Sequence, residues 1–254
     1  MSAEQTTKRF KKNVSGERLT AIILDDYMSL HQKAAEGAFV VWVAIIVPVE
    51  LLAGFENVVF AVPESHAALS AAKGIGVKQC ERAEESGYSM DLCSYARIDI
   101  GTNMGGLADS PTMGLPKPHL LVSNNNNCSL LVKWFDVYHR MWGTPHFVLD
   151  VPFCYGAQKQ TDLEYIVAQF HDLIRTIKEL SGQKFDIDMA RAAGLYSYEA
   201  ARQWKRFTDL AAHKPSGITA FDSFVQMAPM LTSRGSQRLA EHYRLLVEET
   251  EAQM

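Results

Sequence analysis

Cysteine is scarce in this sequence. The 254 residues include four cysteines, and successive cysteines are 13, 35 and 26 positions apart. No two have the close spacing of common zinc or ferredoxin motifs, so spacing alone indicates no metal site. The stretch Lys8–Lys12 is basic, and no apolar signal-peptide core follows it. We interpret it as a solvated tail. We therefore expect reduced thiols in the cytoplasm rather than a disulfide framework.

The sequence also lacks a long apolar run. Its most apolar segment, Ala38–Val49, contains Pro48 and is shorter than the about 20 residues that cross a bilayer. This segment predicts a buried strand and no membrane partner. The net charge of −4 gives no reason to expect nucleic acid as a partner.

Several catalytic motifs are missing as well. Neither His-x-x-His nor His-Glu-x-x-His occurs, which disfavours dedicated zinc catalysis. The glycine-rich stretch Gly101–Gly106 has neither the spacing of a dinucleotide-binding loop nor the Lys-Ser/Thr of a phosphate loop. Binding of NAD or ATP is therefore not inferred.

Apolar periodicity predicts an α/β fold, a Rossmann-like parallel-sheet lobe followed by a helical region. We expect a flexible basic tail over 1–16, the Rossmann-like lobe over 17–158 and helices over 159–254. The predicted strands are 38–47, 58–62, 119–123 and 146–151. The predicted helices are 17–36, 64–100 with a break near Gly87, 130–141, 162–180, 187–213 and 237–252, with a loop over 101–118.

Two cysteines lie in polar, loop-like surroundings. Cys93 sits in Asp-Leu-Cys-Ser-Tyr-Ala-Arg, and Cys128 follows four asparagines at or near a helix start. A helix start favours the thiolate, the form that binds soft metals, so folding is expected to bring these thiols to a metal site. The alternative is that both are small buried apolar residues. Cys80 is interpreted as a residue that binds no metal. Cys154 follows a strand end, where ligands of α/β sheets bind, and is interpreted as a residue that lines such a ligand pocket.

A resemblance sharpens this interpretation. The matching stretches, in chain order, are 48–52, 83–101, 127–136, 150–153 and 181–188. Together they resemble the 2-hydroxyacyl-CoA dehydratase and benzoyl-CoA reductase family of iron–sulfur subunits. The resemblance implies two Rossmann-like lobes and a [4Fe-4S] cluster held by three cysteines, of which two match Cys93 and Cys128. The third usually comes from a second lobe, so the chain is a fragment, is completed by another polypeptide, or is a degenerate relative.

The resemblance also implies a mechanism and partners. An ATP-dependent activator iron–sulfur protein would deliver one low-potential electron to a cluster beside the acyl-CoA substrate, within a complex that includes a homologous second subunit. The sequence leaves open whether the reaction is dehydration or aromatic ring reduction. The alternative functions are a non-catalytic assembly or electron-transfer subunit with an incomplete cluster site, and a truncated product without a function of its own.

Glu50 is the candidate catalytic carboxylate. It stands beside an apolar strand, where desolvation is expected to raise its pKa toward a value useful for proton transfer. In dehydratases that resemble this chain, a glutamate at such a position is a candidate for proton handling. The alternative is a carboxylate that only stabilises a helix start. Tyr95 and Arg97 are interpreted as support for the cluster loop or the CoA phosphates, or as ordinary packing residues.

Overall fold

The computed structural model describes residues 13–254. Most of the predicted basic tail, residues 1–12, lies outside this range. The first described element is helix α1, which begins at Val14 and therefore includes the last residues that were assigned to the tail.

Four parallel strands form the sheet. They are β1 (Phe39–Val43), β2 (Val58–Ala61), β3 (Leu120–Asn124) and β4 (His146–Leu149), in the order β2-β1-β3-β4. The two central strands are buried on both faces, which explains why their sequences are continuously apolar over most of their length. The predicted α/β fold with a parallel sheet is confirmed.

Helices connect and cover the strands. The α-helices are α1 (Val14–Ala35), α2 (Pro63–Ala72), α3 (Gly76–Glu85), α4 (Ser94–Gly101), α5 (Ser129–Trp142), α6 (Gln160–Ser181), α7 (Ile187–Asp209), α8 (Ala220–Gln226), α9 (Ala228–Thr232) and α10 (Gln237–Gln253). Three 3-10 helices span Val49–Gly54, Leu107–Asp109 and Leu210–Ala212, and a π-type turn spans Thr102–Gly106. Helices α2, α3 and α4 pack on one another, and α5 packs on β3 and β4.

The chain divides into two compact units. The sheet unit is Tyr27–Arg191, and the terminal unit combines residues 13–26 with Ala192–Met254. In the sheet unit, the buried Trp42 ring meets Tyr138 and Trp142 edge-on at centroid distances of 5.0 and 5.3 Å. The terminal unit has its own apolar core. This core consists of Ala200, Phe207, Ile218, Leu239, Ala240, Tyr243, Leu246 and Val247.

Helices α8 and α9 were not predicted. Thr219 begins α8 with a reciprocal capping box, since its hydroxyl accepts the Asp222 amide at 3.1 Å while the Asp222 carboxylate accepts the Thr219 amide at 2.7 Å. In the described part of the chain, none of the helices is long and apolar enough to span a membrane.

Candidate active site

The strand order places a topological switch point between β1 and β3. The chain leaves β1 for β2 on one side and returns to β3 on the other, so the connections after β1 and β3 diverge from neighbouring strand ends. In open α/β sheets, ligands bind in the crevice at such a point. The connection after β1 leads to Glu50 and the connection after β3 leads to Cys128. The structure therefore places two of the three predicted site residues after neighbouring strands.

Cys128 is the N-cap of α5, with φ −108° and ψ 152°, and its thiol is exposed. The predicted position at a helix start is confirmed. The residue therefore lies at the positive end of the helix dipole.

The asparagine run before Cys128 is held by residues that follow β4. The Asn125 side-chain nitrogen donates to Asp150, and the Asn125 side-chain oxygen accepts the Val151 amide at 2.7 Å. Asp150 in turn accepts the hydroxyl of Tyr165 at 2.7 Å. The Asn125 amide thus fixes the connections after β3 and β4 to each other.

Cys93 is the N-cap of α4, and its thiol is also exposed. Arg97 lies one turn later and anchors this helix start, because it donates to the Leu92 carbonyl at 3.1 Å and pairs with Glu84 of α3. Both predicted ligand cysteines therefore begin helices, a shared setting that the sequence indicated only for Cys128.

Cys80 lies closer to Cys93 than its sequence setting suggested. Its sulfur is 3.8 Å from the carbonyl oxygen of Ser94, the residue after Cys93. Burial raises the pKa of the Cys80 thiol, and the neighbouring Glu84 carboxylate raises it further, against the lowering effect of Arg97. These effects keep Cys80 in the thiol form, which is a poor metal ligand.

Two cysteine thiols fit part of an iron–sulfur ligand set. Both are exposed sulfur ligands at positive helix ends, the type of donor that clusters require. Among residues 13–254, however, no three His, Cys, Asp or Glu side chains are grouped so that they could hold a metal ion. Any remaining ligands would therefore come from elsewhere.

Glu50 lies in the first turn of the 3-10 helix Val49–Gly54 and is half-buried. Pro48 is the N-cap of this helix, so the predicted helix start is confirmed as a 3-10 turn. Gly54 and Phe55, at the end of this 3-10 helix, contact Phe185 and Asp186, which directly precede α7. The Phe55 and Phe185 rings meet at a centroid distance of 5.2 Å, and the Asp186 amide donates to the Gly54 carbonyl at 2.8 Å.

Gly54 is required at this contact, because a Cβ there would lie 2.3 Å from the Phe185 ring. The stretch 181–188, which carries part of the family resemblance, thus contacts the residues directly after the resembling stretch 48–52, next to the turn that bears Glu50.

Glu64 is a site carboxylate that the sequence analysis missed. It follows β2, in the first turn of α2, and only 8% of its surface is exposed. Its Oε1 accepts the Ile45 amide at 3.0 Å, whereas Oε2 has no hydrogen-bond partner among the described residues. Burial raises the Glu64 pKa to about 7 against the lowering effect of that bond. Glu64 thus holds the connection between β1 and Glu50.

A family model described as "2-hydroxyglutaryl-CoA dehydratase, D-component" matches residues 44–254. The chain belongs to this family. The match begins directly after β1 and includes Glu50, Glu64, Cys93 and Cys128.

The chain is also similar to curated dehydratase subunits. The alpha subunit of (R)-phenyllactyl-CoA dehydratase from Clostridium sporogenes is 35% identical over 191 residues, which are 74% of this chain and 46% of that protein. The alpha subunit of (R)-2-hydroxyisocaproyl-CoA dehydratase from Clostridioides difficile is 34% identical over 236 residues, which are 92% of this chain and 57% of that protein. The chain therefore spans about half the length of these curated dehydratase relatives.

The curated relatives also include a benzoyl-CoA reductase subunit. A subunit of benzoyl-CoA reductase from Thauera aromatica is 30% identical over 173 residues, which are 66% of this chain and 40% of that protein. This chain is thus similar to subunits named for both reaction types.

Proposed function

We propose that this chain forms part of an iron–sulfur subunit that acts on an acyl-CoA thioester, in an enzyme of the 2-hydroxyacyl-CoA dehydratase or benzoyl-CoA reductase type. The observation that carries the proposal is that Cys93 and Cys128 both present exposed thiols at helix N-termini within the part of the chain that matches the family. The relatives' names supply the substrate class.

In this proposal the two thiolates hold a [4Fe-4S] cluster, with further ligands from outside residues 13–254. Such a cluster supplies low-potential single-electron chemistry and an iron that polarises a substrate oxygen. The partners are the acyl-CoA substrate, a homologous second subunit and an ATP-dependent activator iron–sulfur protein. Glu50 would move a proton at the substrate, and the Glu64 carboxyl would hold the connection that leads to it.

Iron and sulfide quantitation after anaerobic purification, with the partner subunit present, tests the ligand assignment. Cys93→Ala and Cys128→Ala are each expected to remove the iron, at about four iron atoms per cluster in the parent protein. Cys154→Ala is the matched control, because that thiol is also exposed but its sulfur points to Asp162 at 3.8 Å. Iron that persists in both ligand variants, or disappears in the control, would show that the ligands are assigned wrongly.

Glu50→Gln tests proton handling separately from cluster binding. The amide keeps the size of the side chain but cannot take up a proton, so we expect turnover to fall by about 100-fold or more with iron content unchanged. Consumption of a 2-hydroxyacyl-CoA and of benzoyl-CoA by the activated complex would be measured in parallel, which distinguishes the two branches. Full turnover by this variant would remove Glu50 from the mechanism.

A second candidate function is a non-catalytic assembly or electron-transfer subunit with an incomplete cluster site. It is favoured by the absence of a group of three ligating side chains within residues 13–254. An iron-free parent protein that still binds its partner subunit would support this alternative.

A further inference from the structure

Asp99 connects three helices through a completely buried carboxyl group. It lies on α4, six residues after Cys93. Its Oδ1 is 2.8 Å from Nδ1 of His66 on α2, and its Oδ2 accepts the hydroxyl of Tyr138 on α5. The hydroxyl of Tyr138 also accepts the indole N–H of Trp134 at 3.2 Å. All four side chains are buried.

The hydrogen positions in this network are consistent with one assignment. The Ser110 hydroxyl oxygen accepts the Gly114 amide at 2.8 Å, which leaves its own hydrogen for Nε2 of His66, 2.9 Å away. With Nε2 as the acceptor, Nδ1 of His66 donates to Asp99. Burial and the neighbouring Asp99 charge raise the pKa of Tyr138 well above its usual range, so its hydroxyl stays a donor.

The network joins the two helices that begin with the predicted ligand cysteines. Cys93 is the N-cap of α4 and Cys128 is the N-cap of α5. A helix rises about 1.5 Å per residue, so Asp99 is about 9 Å along its helix from Cys93 and Tyr138 about 15 Å from Cys128. A fixed bond between Asp99 and Tyr138 therefore limits how the two helix ends move relative to each other.

We propose that Asp99 and Tyr138 are positioning residues that hold the thiols of Cys93 and Cys128 in one arrangement, ready for a shared metal centre. The inference rests on the proposed function, in which both thiols bind one cluster. Stability alone does not explain a buried carboxyl, because well-packed apolar side chains commonly stabilise a core equally well. What a fully bonded carboxyl provides is directional contact with two helices at once.

Cadmium binding to the full chain tests the arrangement without any cluster. In a Cys80→Ser, Cys154→Ser background, Cys93 and Cys128 are the only thiols, and ultraviolet sulfur-to-metal absorption reports how many thiolates bind Cd²⁺. We expect one Cd²⁺ held by both thiolates. Tyr138→Phe keeps the ring but removes the hydroxyl, and we expect about tenfold weaker Cd²⁺ binding, as for other residues that orient metal ligands.

Two further variants separate positioning from stability. Tyr27→Phe is the matched control, because it removes another buried hydroxyl bond of the sheet unit, donated to Ser65 at 3.2 Å. It is expected to leave Cd²⁺ affinity unchanged. In Asp99→Asn the amide oxygen can still accept from Tyr138, and the amide nitrogen can donate to Nδ1 of His66 once that ring carries its hydrogen on Nε2 and donates it to the Ser110 oxygen. This variant is therefore expected to retain affinity, whereas Asp99→Leu is expected to lose it. Circular dichroism verifies that each variant folds. If Tyr138→Phe does not fold, the comparison of Asp99→Asn with Asp99→Leu takes its place.

The outcomes distinguish the two proposals. Two-thiolate binding that is equally tight in the parent, Tyr138→Phe and Asp99→Leu proteins would overturn the positioning role and leave the shared cluster intact. Equal weakening by Tyr27→Phe would also overturn it, since the effect would then reflect general loosening. A parent protein that never binds Cd²⁺ through both thiolates would overturn the shared ligand set and the positioning role together.

Discussion

At the level of single residues, burial of the Glu64 carboxyl couples proton binding to folding. Its pKa is about 7 in the folded chain, compared with an ordinary value of 4.5. Between these two values the folded state binds more protons than the unfolded state, so the free energy of unfolding falls as pH rises. The stability is fully present below about pH 4.5 and lost above about pH 7, a difference on the order of 3 kcal/mol.

Glu64→Gln should remove this pH dependence. The amide oxygen can still accept the Ile45 amide, and the side chain no longer ionises, so we expect the variant to exceed the parent protein in stability at pH 8 but not at pH 5. Urea unfolding at both values measures the difference. Glu56→Gln, at an exposed glutamate of the same unit, should leave the pH dependence intact. An unchanged slope in Glu64→Gln would refute the assignment.

The site residues differ in how visible they are in the sequence. A cysteine that follows a strand and precedes an amphipathic stretch predicts a helix start, and Cys128 lies at one. Glu64 and Asp99 give no such signal, because their burial depends on partners far along the chain, such as Ile45 for Glu64 and Tyr138 for Asp99. A buried carboxyl inside an otherwise ordinary helix is found only when the packing is known.

At the level of elements, Gly101 allows α4 to approach α3 closely. Its backbone has ordinary helical angles, yet a Cβ there would lie 1.9 Å from the carbonyl oxygen of Gln79. Gly101→Ala is therefore expected to destabilise the protein by about 3 kcal/mol, because backbone rather than a flexible side chain must move.

Gly194→Ala is the control for this substitution. Gly194 lies inside α7, and a Cβ there meets no heavy atom within 4 Å. Alanine should stabilise that helix by roughly 1 kcal/mol. Opposite signs in urea unfolding are the expected result, and similar changes at both positions would contradict the steric explanation.

The elements themselves were largely predictable. The four strands and the helices that connect them follow from apolar periodicity. Asp186 caps the start of α7, since its carboxylate accepts the Asp188 amide at 2.8 Å. The strand order does not follow from periodicity, because pairing depends on how crossovers pack. Helices α8 and α9 are short and partly exposed, so their periodic signal is weak, although the Thr219 and Asp222 pair was a recognisable start.

At the level of the whole molecule, both ends of the described chain build the terminal unit. Arg238 of α10 pairs with Asp25 and Asp26 of α1, and Asp26 also accepts the hydroxyls of Thr232 and Ser233 at 2.6 and 2.5 Å. At the opposite end of α1, the Val14 and Ser15 amides both donate to Glu249 at 3.0 Å. The part of α1 from Val14 to Asp26 is thus fastened to α9 and α10 by polar contacts.

Arg238→Ala should weaken this attachment. It leaves the mostly buried Asp26 carboxyl without its cation, so we expect a loss of about 2 kcal/mol, typical of hydrogen bonds to charged groups. Arg244→Ala is the control, since Arg244 makes an exposed pair with Glu199 at 3.4 Å and should cost under about 0.5 kcal/mol. Thermal unfolding measures both. Equal losses would show that Arg238 acts only as a surface charge.

A unit built from two distant stretches has a consequence for synthesis. Residues 13–26 leave the ribosome well before their partners between 192 and 254 are translated. The sheet unit, which is continuous from 27 to 191, can complete its contacts in between. The start of α1 must therefore wait, with its apolar face uncovered, through the translation of about 165 residues, roughly 8 to 33 seconds at 5–20 residues per second. In the cell, a chaperone would bind this uncovered apolar face of α1 during that interval.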